Sequence, residues 1–363
     1  MSERSESVLS MMKDQWESMA GMAGMFIVTI GIGIFIQPFF DYFPEAKAFG
    51  EEGTTKTEFI LMELIMIGIF TVAIIWLARK GLDYIIKAIV MFALGLSMFY
   101  AILPFTYIPL MMGIEYGPLI TWFAFPITFV AMYALHRYPE WWVVNSVGVM
   151  VGSGVIVMIG ISFVPTLVII FMILAAIYDY WAVHKSKHML ELADTMIGLK
   201  LPVLLVSPKE KGYSFLEQEG DIMQNSPPPP PERLETEIVD EEKRIMSKKK
   251  SRDALFMGLG DVIFPGMLVI SALTFLPEWG GEVWSPFGNL YEDSTSFYLA
   301  QLLVAIGTLI GGLIGYVLLM AFVARGNPQP GLPLLNGGAI LGYIISAILT
   351  VGPEHVFQAI TFL

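Results

Sequence analysis

Long apolar stretches separated by short polar ones run along almost the whole chain of 363 residues. Such stretches of about 18 or more residues are long enough to cross the ~30 Å hydrocarbon core of a bilayer as helices. Nine can be drawn, at residues 20–40, 59–78, 82–103, 118–135, 142–163, 165–183, 254–276, 297–324 and 332–351. The pattern predicts an all-α, polytopic membrane protein with nine transmembrane helices.

One long polar stretch divides the predicted spans into two groups. Residues 1–184 form an N-terminal bundle of spans one to six, and residues 254–363 form a C-terminal bundle of spans seven to nine. The cytosolic loop 185–253 joins them. Within this loop, residues 207–250 carry five consecutive prolines and many charges. Such a segment cannot bury enough apolar surface to fold alone, so 207–250 is predicted to be a largely disordered linker.

Composition agrees with a membrane protein and excludes several kinds of chemistry. The mean hydropathy is +0.67 and only 15% of the residues are charged, which is too apolar for a soluble chain of this length. The absence of cysteine excludes disulfides, thiolate catalysis and cysteine-based zinc sites. The net charge is −12, and the sequence does not indicate the basic surface that nucleic-acid-binding proteins use, so no nucleic-acid partner is expected.

Lysine and arginine concentrate on one side of the predicted bundle. The loop between spans six and seven holds twelve of them, and the loops on the opposite side hold only Lys47 and Lys56. The short loops on the basic side contain Arg79, Lys80, Arg137 and Arg325. Because basic residues favour the cytoplasmic face, we expect an integral membrane protein with its N-terminus in the cytoplasm and its C-terminus outside.

Two aspartates lie well inside predicted spans, where a charge is costly and usually functional. Asp179 in span six precedes Lys185 by six residues, which places it ~9 Å from the inner rim. Asp261 in span seven follows Arg252 by nine residues, which places it ~14 Å from the same rim. Helix tilt absorbs the difference. The two carboxylates are therefore predicted to meet at similar depth on neighbouring antiparallel spans.

Two carboxylates in a low dielectric share one proton, because the proximity of like charges separates their titrations. This arrangement suits aspartyl proteolysis, in which an ionised carboxylate takes a proton from water and its protonated partner donates to the scissile carbonyl. The same pair also suits a proton- or ion-coupled transporter that relays charge through both aspartates. The lack of an obvious inverted repeat in the hydropathy pattern counts against transport. A catalytically idle scaffold that binds helices is a third interpretation.

The residues around these aspartates favour proteolysis. Gly258 and Gly260 bracket Leu259 directly before Asp261, which leaves room for an extended peptide backbone. Three prolines within residues 326–333 prevent a regular helix from starting before Pro333. Non-helical backbone at membrane depth is tolerated only where it lines a cavity or meets protein. A protease that cuts helices needs such backbone, since its substrate must unwind and be held.

Three short motifs, taken together, resemble those of a known family. Tyr178 and Asp179 are similar to its YD motif, and Gly258, Leu259, Gly260 and Asp261 are similar to its GxGD motif. Residues 329–333 resemble its PAL motif, with Gly331 in place of alanine. The family is that of presenilin and signal peptide peptidase, the GxGD intramembrane aspartyl proteases. Motif order, span number and membrane side all match, and the chain most resembles an archaeal presenilin homologue.

The resemblance implies a presenilin-like fold and an aspartic endopeptidase that hydrolyses peptide bonds within transmembrane helices of substrate proteins in the lipid bilayer. Asp179 and Asp261 would be its catalytic pair, acting on a water without metal or cofactor. The residues implied to shape the site or bind substrate are Tyr178, Gly258, Leu259, Gly260, Pro330, Gly331 and Leu332. The predicted orientation resembles that of presenilins. Presenilins act with partner subunits in eukaryotes, but nothing in this sequence marks a subunit contact or an oligomeric state.

The family also suggests two interpretations of the apolar run at residues 199–206. It offers an edge strand to which an unwound substrate adds by backbone hydrogen bonds, or it is a membrane-dipping loop that only packs. Other catalytic chemistries fit less well. There is no HExxH for a zinc protease, and Ser153 lacks both the rhomboid GxSG context and a deep histidine to activate it.

Overall fold

The computed structural model describes residues 15–41, 47–111, 114, 122–182, 195–209, 212–217, 254–284, 287, 296–323 and 330–361. Within this part of the chain, helices of 14 residues or more dominate. They are α1 (Trp16–Asp41), α2 (Thr57–Arg79), α3 (Asp83–Thr106), α4 (Ala124–Arg137), α5 (Trp141–Gly160), α6 (Pro165–Trp181), α7 (Leu259–Phe275), α8 (Leu299–Val323) and α9 (Leu332–Thr350). Single helical turns occur at Gly50–Gly53, Ile108–Met111 and Pro353–His355.

Each predicted apolar stretch overlaps one of these helices. Among the described residues, six helices are long and apolar enough to cross a membrane, namely α1, α2, α3, α5, α8 and α9. The other three are shorter, with 17 residues in α6, 17 in α7 and 14 in α4. Part of the predicted span 118–135 lies outside the described residues. The membrane character of the chain is thus clear, while the count of nine crossings stays a prediction.

Two small antiparallel sheets correct the all-α prediction to a mostly helical fold. β1 (Leu204–Pro208) pairs with β2 (Ala254–Gly258), and β3 (Glu282–Trp284) pairs with β4 (Phe297–Tyr298). The prediction that span seven begins at residue 254 is wrong, because 254–258 is a strand and α7 begins at Leu259. A short apolar run cannot be assigned to strand or helix by hydrophobicity alone. The strand β1 also overlaps the run 199–206, and its partner is a segment of the same chain.

The start of the predicted disordered linker is ordered, which is a second correction. Ser207 and Pro208 belong to β1, and within 212–217 the Ser214 hydroxyl and the Phe215 N–H both donate to the Glu140 carboxylate. The Phe215 side chain is buried beneath the Lys200 ammonium group. Composition did not reveal these distant partners. The rest of 207–250, at residues 210–211 and 218–250, lies outside the described residues.

Helix α7 is the centre of the bundle, and it contacts α1, α5, α6, α8 and α9. Every residue from 265 to 273 is buried, so this helix is apolar on all sides. Asp261 lies in the first turn of this helix, just before the fully buried part. The central position of α7 therefore fixes where the Asp261 carboxylate lies within the bundle.

Helices α8 and α9 pack against each other through their backbones. A β-carbon added at Gly311 would collide with the backbone of Gly338 and Gly342, and one added at Gly315 would collide with Leu334. Small residues at such spacing allow close approach of helices in membranes. The glycines of α8 and α9 therefore allow the two helices to pack at close range. The contact with α8 also fixes the position of α9 next to residues 330–332.

Candidate active site

Asp179 lies in the last turn of α6 and is buried, with 7% of its surface exposed. Its carboxylate accepts a hydrogen bond from the backbone N–H of Leu332, with 3.3 Å between nitrogen and Oδ2. A buried carboxylate needs such a donor to offset the loss of water. Helix α6 and the first residue of α9 are therefore joined at the side chain of Asp179.

Asp261 lies in the first turn of α7 and is partly exposed. Its carboxylate accepts a hydrogen bond from the backbone of Gly258, the residue that ends β2 and precedes the helix. On another side the carboxylate lies against the Cα of Gly331, where an added β-carbon would be 2.6 Å from both Oδ1 and Oδ2. A residue without a side chain at 331 therefore lets the Asp261 carboxylate approach the backbone closely.

The two aspartates meet at a single turn of the chain. Leu332 bonds to Asp179 and its neighbour Gly331 touches Asp261, and the two carboxylates are close enough for their charges to interact. Asp179 comes from the end of α6 and Asp261 from the start of α7, as expected for neighbouring antiparallel helices. The structure brings the two predicted aspartates together, while their catalytic roles stay predictions.

Local sequence explains how this turn is formed. Pro333 occupies the first turn of α9, where its missing N–H costs nothing and its fixed φ suits the helix start. Gly331 directly precedes the helix, and Pro330 before it is buried and non-helical. Helix α9 begins at Leu332, which is the predicted start of span nine and one residue before the start that the three prolines predict, and the turn before it faces both carboxylates.

Comparison with known proteins agrees with this geometry. A family model described as signal-peptide peptidase, presenilin aspartyl protease matches residues 23–352, which is most of the chain. The chain belongs to this family. It is accordingly an aspartic endopeptidase, and its long apolar helices make it an integral membrane protein. A search of curated proteins finds no match.

Two solved structures of a presenilin family intramembrane aspartate protease share the fold. The one in space group C222 has a TM-score of 0.57 and 24% identity, and the match covers 91% of this chain and 99% of the other. The one in space group P2 has a TM-score of 0.55 and 25% identity, and the match covers 91% of this chain and 97% of the other. The presenilin-like fold therefore extends over nearly the whole chain.

In this presenilin-family chain, the side chain of Tyr178 reaches a third helix. Its hydroxyl hydrogen-bonds to the side chain of Thr71 on α2, and its ring packs against Trp181 at 6.3 Å between centroids. Thr71 is one of the few buried residues of α2. Tyr178 thus links α2 to the end of α6, next to Asp179.

The residues of the GxGD motif before the aspartate differ in their surroundings. Leu259 is buried, donates its N–H to the Val203 carbonyl at 2.9 Å and packs close to Gly152 of α5. Gly260 is exposed, and a β-carbon there would meet no atom within 4 Å. Leu259 therefore anchors the start of α7, while the glycine after it leaves open space beside Asp261.

Sequence reasoning missed two polar residues that support this region, Thr71 and Asn145. Asn145 is a buried amide within the apolar helix α5, and a polar residue in such a helix is a signal that could have been followed. Its partners lie 61 residues away in β1, which no local pattern reveals. Among the described residues, no group of three or more His, Asp or Glu side chains could hold a metal.

Proposed function

We propose that this chain hydrolyses peptide bonds within transmembrane helices of substrate proteins, with Asp179 and Asp261 as the general acid and base acting on one water. The observation that carries the proposal is the contact of both carboxylates with Gly331 and Leu332. The two acidic groups meet at one turn, and the open space at Gly260 next to Asp261 leaves room for a substrate to approach the pair.

The chemistry needs one proton shared by the pair. The ionised carboxylate removes a proton from water as the water oxygen attacks the scissile carbonyl carbon, and the protonated carboxylic acid donates to the carbonyl oxygen. A gem-diol results. In its collapse the C–N bond breaks as the protonated member of the pair gives its proton to the leaving amine, while the ionised member takes a proton from one gem-diol hydroxyl, which leaves a carboxylic acid as the other product. The pair returns to its starting state of one proton, so no cofactor or metal is consumed.

An extended substrate suits the β1–β2 sheet next to the pair. β2 ends at Gly258, three residues before Asp261, so a peptide that adds to the sheet by backbone hydrogen bonds continues towards the carboxylates. A helical substrate hides its peptide bonds inside its own hydrogen bonding, and pairing with a strand exposes them. We infer that the substrate unwinds where it meets this sheet.

The proposal includes a topology of nine crossings with the N-terminus in the cytoplasm and the C-terminus outside. Helices α1 to α9 coincide with the nine apolar stretches, and basic residues cluster in the loops on the side of the aspartates. In this orientation, substrates that span the membrane once have their N-terminus outside. The bilayer is the medium in which enzyme and substrate meet, and no accessory subunit or oligomeric state is assigned.

The test is incubation of the purified chain in liposomes with a single-span peptide, followed by mass spectrometry of the products. Asp179→Asn and Asp261→Asn each remove one proton-transfer group, so we expect each to lower turnover by about 10³-fold or more. Asp83→Asn is the matched control, because Asp83 is an exposed aspartate at the start of α3. It should leave turnover unchanged.

Normal turnover by either active-site variant would overturn the proposal. The transport interpretation makes a different prediction for the same liposomes. A flux driven by a pH gradient, lost in both variants and not accompanied by any cleaved peptide, would favour a proton-coupled transporter over a protease. An aspartyl transition-state isostere should block peptide cleavage and should not affect such a flux.

A further inference from the structure

The buried amide of Asn145 on α5 holds both main-chain groups of one strand residue. Its Nδ2 donates to the Val206 carbonyl at 2.7 Å, and its Oδ1 accepts from the Val206 N–H at 2.8 Å. The side chain is 7% exposed. A carboxamide has one donor side and one acceptor side, so it pairs with a strand residue as the backbone of a neighbouring strand does.

The register of the sheet shows which edge of β1 Asn145 covers. Leu259 donates to Val203, so this pair is hydrogen-bonded, and in an antiparallel ladder such pairs alternate with non-bonded ones. The pairs of Leu205 with Met257 and of Ser207 with Leu255 therefore carry the bonds between the strands. Val206 directs its backbone groups away from β2, towards the outer edge where Asn145 lies.

A second side chain occupies the same outer edge. The Ser18 hydroxyl of α1 donates to the Pro208 carbonyl at 2.6 Å, and proline has no N–H to be satisfied. Both α1 and α5 pack on β1. The outward backbone groups of Val206 and Pro208 are thus bonded by side chains of the helices behind the strand.

β2 presents the opposite edge of the sheet. By the same alternation, Phe256 and Gly258 direct backbone groups away from β1, and both residues are partly exposed. This edge also runs directly into the start of α7 and Asp261. The two edges are therefore unequal. Helix side chains bond the outward groups of Val206 and Pro208 on β1, whereas on β2 the Gly258 N–H bonds to Asp261, and the outward groups of Phe256 and the Gly258 carbonyl lie on the side where we expect a peptide to add.

We propose that Asn145 is a positioning residue that closes the outer edge of β1, so that an extended substrate pairs with β2 alone and in one register relative to the aspartates. The proposal rests on the proteolytic function above. Asn145 touches no reacting atom. It acts through β1, because the ladder from β1 to β2 sets where the backbone groups of Phe256 and Gly258 lie relative to Asp261.

Replacement of Asn145 with leucine tests this directly, since leucine has a similar size and cannot hydrogen-bond. In Asn145→Leu both backbone groups of Val206 lose their partner, and the outer edge of β1 opens. We expect cleavage at additional peptide bonds and a rise in KM of about tenfold, comparable with the loss of one net hydrogen bond. The turnover number should change much less, because the carboxylates are untouched.

The experiment has two readouts on the full chain in liposomes. Hydrogen exchange followed by mass spectrometry should show faster exchange across residues 204–208 in Asn145→Leu, with unchanged exchange in α8 and α9. Mass spectrometry of the products of a single-span peptide should show new cleavage positions. Ser146→Ala is the matched control, because Ser146 is the next residue of α5, is exposed and bonds within its own helix. It should change neither readout.

A milder variant keeps the test decisive if Asn145→Leu does not fold. Ser18→Ala removes only the bond to Pro208, and it should shift the product pattern in the same direction by a smaller amount. Two results from Asn145→Leu would overturn the proposal. One is unchanged hydrogen exchange at residues 204–208, and the other is faster exchange there together with the native cleavage products and the native KM. If Asn145→Leu does not fold and Ser18→Ala does, native cleavage products from Ser18→Ala would also overturn it. If the native chain cleaves nothing, the proposed function fails, while the exchange result still reports on the edge of β1.

Discussion

Helices α2, α8 and α9 are all strongly apolar, yet α2 and the α8–α9 pair are packed in very different ways. α8 and α9 touch backbone to backbone at Gly307, Gly311, Gly338 and Gly342. In α2 only Ile60, Thr71 and Ile74 are buried, and Gly68 has no atom near the position of an added β-carbon. A glycine in an apolar helix therefore marks close packing only where another backbone meets it.

The difference bears on the active site, because each region supports one side of it. The tightly packed pair carries Gly331 and Leu332, the turn that both carboxylates contact. The lightly packed α2 contacts α6, and the bond between Thr71 and Tyr178 links it to the residue next to Asp179. We therefore expect the site to be sensitive to changes in the first region and tolerant of changes in the second.

The largest effect is expected from a bulky residue in the α8–α9 contact. Gly311→Leu would force the helices apart, and we expect it to lower the free energy of unfolding by more than about 3 kcal/mol and to abolish cleavage. Thermal unfolding in detergent measures the first and peptide cleavage the second. Gly68→Leu on α2 is the matched control and should change stability by less than about 1 kcal/mol. An equal loss of stability and of cleavage in both variants would show that the two regions do not differ in this way.

A smaller effect is expected where the rigid pair meets the carboxylate. The β-carbon of Gly331→Ala would lie 2.6 Å from both oxygens of Asp261, so the carboxylate must move. We expect turnover to fall roughly 10- to 100-fold with little loss of stability, since small misplacements of catalytic groups are costly. Steady-state cleavage and thermal unfolding separate the two quantities. Native turnover in this variant would mean that the observed contact is not the one used in catalysis.

The smallest effect is expected at the link to α2. Tyr178→Phe removes the hydroxyl that bonds to Thr71, a loss of about 1 kcal/mol, so turnover should fall only a few-fold. Thr71→Val should behave similarly, and the double variant should be no worse than either single one. A double-mutant cycle on cleavage rates measures this coupling. Fully additive losses would show that the two side chains act independently.

The sequence predicted the helices well because bilayer thickness imposes a length that soluble folds do not share. It also predicted that Asp179 and Asp261 meet on neighbouring helices, although the depth calculated for Asp261 assumed helix through residues 254–258, which form β2. It did not predict β2, because residues 254–258 are as apolar as the helix that follows. The roles of Asn145 and Glu140 were equally hidden, because their partners lie 61 and 75 residues away.

Gly331 shows a limit of motif reasoning. The resemblance marked it only as a departure from alanine. In the structure the Asp261 carboxylate occupies the space that a β-carbon at residue 331 would need, which no sequence pattern contains. Contacts of this kind depend on how α7 and α9 cross, and that crossing is set by packing across the whole bundle.

The most direct test of the account is whether residues 179 and 261 are neighbours in the membrane. The chain has no cysteine, so Asp179→Cys combined with Asp261→Cys provides the only two thiols. A protease site inserted between residues 217 and 254 would then cut the chain between them. After treatment with a short bifunctional thiol reagent, the account predicts that the two fragments stay joined. An Asp179→Cys, Leu349→Cys pair should let them separate, because Leu349 lies in the other fragment and near the far end of α9, about 25 Å along the helix from Leu332. Separation of the first pair as readily as the control would contradict the meeting of the two aspartates.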